Sequence, residues 1–247
     1  MFVCYNKFGD DMFIRKIVFQ FENVNQNKYP YNIEGFQHLK EVEFHKPVSF
    51  FIGENGSGKS TLIEALAILC GMNKEGGSQN YMFDTKNTVS DLYKNCKLIK
   101  GIERPKTKYF LRAESFYNTC SYIDSNPDAL QAFGFASLHE CSHGESFIKL
   151  IEDRFYDHGL YILDEPEAAL SPIRQMRLLF LIDKLVKQGS QFIIATHSPI
   201  LLAYQNATIY DFNQHMANVD YKDTEIYQIY KLFLNEPERM LSELFQE

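Results

Sequence analysis

Four short stretches carry groups suited to work on phosphate. Gly53-Glu54-Asn55-Gly56-Ser57-Gly58-Lys59-Ser60 fills every defined position of the pattern G-x-x-x-x-G-K-[ST], and Thr61 follows it. Glycines let a backbone wrap a phosphate with its N–H groups, and a helix starting there adds favourable dipole charge. Lys59 is placed to reach the β- and γ-phosphates of a nucleotide, and Ser60 to ligate Mg²⁺. Asp164 and Glu165 close the apolar run Leu160 to Leu163. A carboxylate at the C-terminal end of a parallel strand faces the crevice where ligands bind. Asp164 suits Mg²⁺, and Glu165 suits the polarising of an attacking water. Read without their neighbours, the two acids could equally cap the next helix.

His197 follows the apolar run Gln191 to Ala195. A strand there, beside the nucleotide strands, brings His197 to the same crevice, where it could sense a γ-phosphate. The fourth stretch is Cys141-Ser142-His143-Gly144-Glu145-Ser146. Ser142, Gly144 and Glu145 open a predicted helix, and two readings stay open. One is a capping box of Ser142 with Glu145. The other is an anion site at a helix start. A γ-phosphate already surrounded by the Lys59 loop has little room for it, so this second reading calls for a phosphate held by another subunit.

These groups need elements to hold them. Ile14 to Phe21 and Val42 to Phe44 alternate as half-buried strands do, with an Asn-rich loop between them. Pro47 to Ile52 reads as a buried strand. Thr61 to Cys70 has helical spacing, with Gly71 as its C-terminal stop. Asn73 to Lys108 is polar and reads as a surface insertion with a short helix. Tyr109 to Phe116 returns to strand, and Ser125 to Leu138 reads as loop with a short helical piece. Glu145 to Asp157 reads as an amphipathic helix. Ser171-Pro172 starts a helix running to Gly189. Thr208 to Phe212 is a last strand, and two short helices split near Pro237 finish the chain. Strands alternating with helices predict an α/β fold with a mostly parallel central sheet.

The bulk properties bound the rest. A length of 247 residues with 45% hydrophobic content supports one core-forming domain. A formal charge of −7 does not indicate nucleic-acid binding; the segment 94–108 is where Lys and Arg could cluster. The five cysteines, Cys4, Cys70, Cys96, Cys120 and Cys141, show no paired spacing, which fits a reducing compartment. The longest apolar stretch, Leu62 to Met72, is too short to insert in a bilayer, and no leader pattern opens the chain. The expectation is a cytoplasmic protein.

Together the phosphate loop, the Ser-His-Gly-Glu helix start, the acidic pair and the histidine resemble, in kind and order, the ATP-binding cassette ATPases. The likeness spans about residues 45 to 200 and is to a small bacterial branch labelled AAA-family, similar to the heads of chromosome-maintenance ATPases. Where the family has Leu-Ser-Gly-Gly-Gln, this chain has Cys141-Ser142-His143-Gly144-Glu145. The resemblance implies an ABC-type P-loop domain over residues 1–247, with a small antiparallel N-terminal sheet and a short helical subdomain at about 71–158. It implies ATP and Mg²⁺ as cofactors and hydrolysis by in-line water attack. It implies a homodimer sandwiching nucleotide, with Ser142 and Gly144 closing the partner's site and 167–171 as a dimer-contact loop. Glu114 stands where the family's Mg²⁺-facing Gln would be, and Tyr29 or Tyr31 is in place to stack on adenine. A protein effector, in phage defence or DNA maintenance, is the expected partner, contacting 73–108 or 222–247. A membrane transporter's ATP-binding subunit is the alternative, which Glu145 in place of Gln disfavours.

Overall fold

The computed structural model describes residues 12–37, 39–72, 90–113, 116 and 143–245. Ser142, Glu114 and the stretch Ser125 to Leu138 lie outside them. The small sheet is formed by β1 (Ile14–Phe19), β2 (Glu41–Glu43) and β4 (Cys96–Lys100) in the order β2-β1-β4, all antiparallel. The large sheet has the order β5-β6-β7-β3-β8-β9. Its strands are β3 (Val48–Ile52), β5 (Thr107–Arg112), β6 (Gly159–Asp164), β7 (Gln191–Ala195), β8 (Ala207–Asp211) and β9 (Ala217–Val219). β9 runs antiparallel to β8, and every other pairing is parallel. The fold is thus α/β with a mostly parallel sheet and a small antiparallel one, as expected.

β3, β6, β7 and β8 are buried at every residue. This is why they read as mostly apolar runs and not as strict alternation: each is covered on both faces. The pleat divides their side chains between two cores. Phe50, Tyr161, Leu163, Phe192 and Ile194 face helices α2 (His143–Arg154) and α3 (Pro172–Val186). Phe51, Ile162, Ile193 and Phe110 face α1 (Lys59–Leu69) and, beyond it, Ile17 and Val42 of the small sheet. Lying between two sheets, α1 buries Leu62, Ile63, Ala65, Leu66 and Ala67 and so lacks a polar stripe. Gly71, in a left-handed conformation with φ 72°, ends it as expected.

One buried side chain joins the sheets. Gln191 Oε1 accepts from the Ile14 N–H at 2.9 Å, and Gln191 Nε2 donates to the Ile14 carbonyl at 2.9 Å.

The structure departs from the sequence reading at Asn73 to Lys108. Residues 73–89 are not described, but Cys96–Lys100 is no irregular insertion: it is β4, paired to β1 from Lys97↔Val18 to Ile99↔Lys16. Its Lys97 and Lys100 point to solvent from an edge strand, which weakens the apolar signal. The predicted cap Ser171 makes no side-chain bond to α3. Ser198 instead caps the short helix α4 (Pro199–Leu202), accepting from the Leu201 N–H at 3.1 Å. The chain ends in α5 (Glu225–Asn235) and α6 (Pro237–Leu244), split at Pro237 as predicted. Neither has a buried residue, and Ile229, Leu234, Leu244 and Phe245 stand exposed. No described helix is long and apolar enough to cross a membrane.

Candidate functional site

The strand order decides which loops meet. β7 lies between β3 and β6, so the loops following all three leave the same edge side by side. These are the phosphate loop, the acidic pair and the His197 turn.

The phosphate loop passes from β3 to α1 through Gly58, the α1 N-cap. Gly58 has φ 104°, and a Cβ there would sit 2.7 Å from the Phe36 ring. A side chain is thus excluded both by conformation and by space. Phe36 packs edge-on against Phe212 at 5.7 Å between centroids, and Asn213 Oδ1 accepts the Glu54 N–H at 3.1 Å. The loop is therefore propped from the β8 end of the sheet. Its tip, Glu54 to Gly56, is exposed. Lys59 is buried, and its ammonium donates to the carbonyls of Gly53 and Glu54 at 2.8 Å each. Burial lowers its pKa, while the charges of Glu165, Asp164 and Glu167 oppose that shift. Ser57 Oγ is buried with no hydrogen-bond partner, an orphan that a phosphate oxygen would satisfy.

Ser60 Oγ donates to Asp164 Oδ1 at 3.1 Å, across 104 residues of chain. A hydroxyl and a carboxylate are hard oxygen donors, so this pair fits Mg²⁺. Sequence reasoning missed the third member. Arg112, at the end of β5, lies opposite Asp164 in register, and its Nε donates to Asp164 Oδ2 at 3.0 Å. Burial raises the Asp164 pKa, while the Arg112 charge and the Ser60 bond hold it down. No local pattern marks Arg112; only strand pairing reveals it. Among the described residues, no cluster of three or more His, Cys, Asp or Glu forms a separate metal site.

Glu165 sits in the left-handed region at φ 50°, and its N–H donates to the Ala195 carbonyl at 3.0 Å. Its carboxylate lies 3.8 Å from His197 Nε2 and remains open to solvent. A non-glycine residue at such a φ is costly and concentrates at functional turns. His197 Nε2 is buried with no hydrogen-bond partner. Burial and the Lys59 charge lower its pKa, and Glu165 opposes them, which favours the neutral ring. The His197 N–H donates to Glu167 Oε1 at 2.5 Å. Glu167, read from sequence only as part of a contact loop, here anchors the His197 turn.

The aromatic candidates separate. Tyr31 is buried, packed edge-on against Phe21 at 5.2 Å and bonded to Asn95. Tyr29 is exposed, and its hydroxyl lies 2.6 Å from Thr61 Oγ1 in the first turn of α1. Gly144 and Glu145 lie elsewhere, against the start of α3. A Cβ on Gly144 would meet the Ala169 carbonyl at 2.9 Å and Arg174 Nη1 at 2.8 Å. Glu145 is exposed and pairs with Arg174 at 3.0 Å.

Residues 31–113 match the family model "AAA domain", and residues 130–203 match "AAA domain, putative AbiEii toxin, Type IV TA system". A "Putative ABC transporter ATP-binding protein" of Bacillus cereus is 28% identical over 159 residues, covering 59% of this chain and 29% of that protein. A "Putative ABC transporter ATP-binding protein" of Geobacter sulfurreducens is 25% identical over 202 residues, covering 71% of this chain and 69% of that protein. The chain thus spans under a third of the first relative's length. Among solved structures, the SMC head domain from Thermotoga maritima aligns with a TM-score of 0.44 at 17% identity, over 81% of this chain and 94% of that one. Clostridium perfringens cbiO1, part of the ABC transporter complex cbiONQ, aligns with a TM-score of 0.47 at 21% identity, over 94% and 99%. The two AAA-domain matches fall on the phosphate loop and on the acidic pair with His197, which the sheet order brings to one edge, so the chain resembles the P-loop ATPases of ABC/AAA type.

Proposed function

We propose that this chain hydrolyses ATP, and that two copies close around the nucleotide to do so. The observation that carries the hydrolytic reading is the Ser60–Asp164 bond at 3.1 Å, with Glu165 next in the chain. It puts the phosphate-loop hydroxyl, a carboxylate and a candidate base at one edge. Mg²⁺, when bound, would neutralise charge on the phosphates, with Ser60 and Asp164 on its protein side. Lys59 supplies the fixed positive charge for the β- and γ-phosphates. Glu165 accepts a proton from the water whose oxygen bonds to the γ-phosphorus as the bond to ADP breaks, leaving ADP and phosphate. His197, neutral and with Nε2 unpartnered, offers a hydrogen bond to the γ-phosphate. Tyr29, exposed with its hydroxyl beside Thr61, would stack on adenine.

The two-copy arrangement rests on Gly144 and Glu145, which lie against Ala169 and Arg174 at the head of α3. Ser142 and Gly144 would serve the partner's nucleotide, and the loop 167–171 would meet the partner. The exposed apolar residues of α5 and α6 support contact with a further protein at 222–247. In this reading the chain is a cytoplasmic switch acting on an effector, in phage defence or DNA maintenance. The names of the two curated relatives favour a second reading, the ATP-binding subunit of a transporter.

Glu165→Gln tests the core of this. Turnover should fall about 10²–10⁴-fold while ATP binding persists, and light scattering should show a dimer only with ATP and Mg²⁺. Undiminished turnover removes Glu165 as base; a monomer at saturating ATP removes the sandwich of two copies. Proteins co-purifying with this trapped form separate the two readings, a permease supporting the transporter and a soluble effector the switch.

A further inference from the structure

Arg112 is held on three sides. Its Nε donates to Asp164 Oδ2 at 3.0 Å, and its Nη2 donates to Glu64 Oε2 of α1 at 3.3 Å. Its guanidinium carbon stands 5.6 Å from the Phe110 ring centroid. The three charged side chains are largely shielded, at 22% exposure for Arg112, 15% for Glu64 and 4% for Asp164. One cation therefore sits between two shielded carboxylates, one of which also accepts from Ser60. Without the guanidinium, two carboxylates and a hydroxyl would face one small space. That is the donor set a hard divalent cation takes.

We propose that Arg112 is a resident cation that keeps the Glu64–Asp164 pair from capturing a divalent metal by itself, so that metal uptake depends on the phosphates of a bound nucleotide. The inference rests on Ser60 and Asp164 being the metal-side groups. Arg112 leaves the trio with one net negative charge and occupies Oδ2 of Asp164. A dication approaching the empty loop meets a guanidinium as well as the carboxylates, and close charges in a shielded site are weakly screened. Nucleotide phosphates add the negative charge that Arg112 has cancelled at the pair. Arg112 is thus a positioning residue for the metal's carboxylate, acting through Asp164. The competing account, a clasp between β5 and α1 alone, predicts lost stability and no change in metal affinity.

The test is a titration with Mn²⁺ alone, without nucleotide, followed by electron paramagnetic resonance. Arg112→Gln should bind Mn²⁺ at least about tenfold more tightly than the unmodified chain. Arg112→Lys, which keeps the charge, should behave like the unmodified chain. Adding Glu64→Gln to Arg112→Gln should erase the gain. A folded Arg112→Gln protein whose Mn²⁺ affinity is unchanged overturns the proposal. Should Arg112→Gln fail to fold, Glu64→Gln alone decides. It removes one negative charge and should raise the Mg²⁺ concentration for half-maximal binding of a fluorescent ATP analogue several-fold; an unchanged value overturns the proposal. Asp164→Asn separates the premise: if ATP binding keeps its full Mg²⁺ dependence in that variant, the assignment of Asp164 to the metal fails, whatever Arg112→Gln shows.

Discussion

The main-chain N–H of His197 donates to Oε1 of Glu167, so the turn after β7 is hung on a carboxylate supplied by the turn after β6. Glu167 Oε2 lies out of solvent with no hydrogen-bond partner. One oxygen of the group therefore orders the crevice, and the other makes its charge costly.

That cost has a sign. Burial raises the Glu167 pKa above its usual 4.5, against the opposing bond from the His197 N–H. Between the ordinary and the raised value, the folded chain holds a proton that the unfolded chain has lost. The contribution of Glu167 to stability therefore falls as pH rises through that window and stays low above it. Glu167→Gln keeps an oxygen for the His197 N–H and removes the charge. Its stability relative to the unmodified chain should climb as pH rises above the usual 4.5 and then level off, read from denaturant midpoints at each pH. Asp164, whose pKa is also raised, is present in both proteins and cancels in the difference.

Gln191 bridges two sheets through one residue. Its amide satisfies both the N–H and the carbonyl of Ile14 in a buried setting. Truncation to Ala leaves both backbone groups unpaired, each costing about 1–3 kcal/mol. Gln191→Ala should therefore lose about 2–6 kcal/mol of unfolding free energy. Hydrogen exchange should show the amide of Ile14 losing protection first, before the amides of β6.

Gly144 reads differently in space than in sequence. The direction its Cβ would take is filled by its own chain, by the Ala169 carbonyl and Arg174. Gly144→Ala should cost about 1–3 kcal/mol through overpacking, measured without nucleotide. Adding Arg174→Ala frees a flexible side chain but not a backbone carbonyl, so the double variant should recover only part of the loss.

The parts of the site readable from sequence are those where chemistry and local pattern coincide. Lys59, Ser60, Asp164 and Glu165 each end or follow an apolar run, because β3 and β6 are buried on both faces. Gln191 to Ala195 is legible to the residue for the same reason. β4 escaped notice since its lysines point outward from a sheet edge. Arg112 and Glu167 escaped for another cause: their partners are fixed by strand register and by a turn, and neither leaves a trace in nearby residues. Tyr29 and Tyr31 looked equivalent until burial separated them, one in the core and one beside Thr61.

β7 pairs through Ile194 with Phe50 of β3 on one side and Leu163 of β6 on the other. Its side chains alternate between the α1 layer and the α2–α3 layer. Removing a single residue from β7 would send Phe192 and Ile194 into the wrong layer and turn His197 away from Glu165. The timing of three loops is thus kept by a shared phase of apolar side chains that never meet a nucleotide. A deletion in this greasy strand should be as damaging to chemistry as the loss of Lys59.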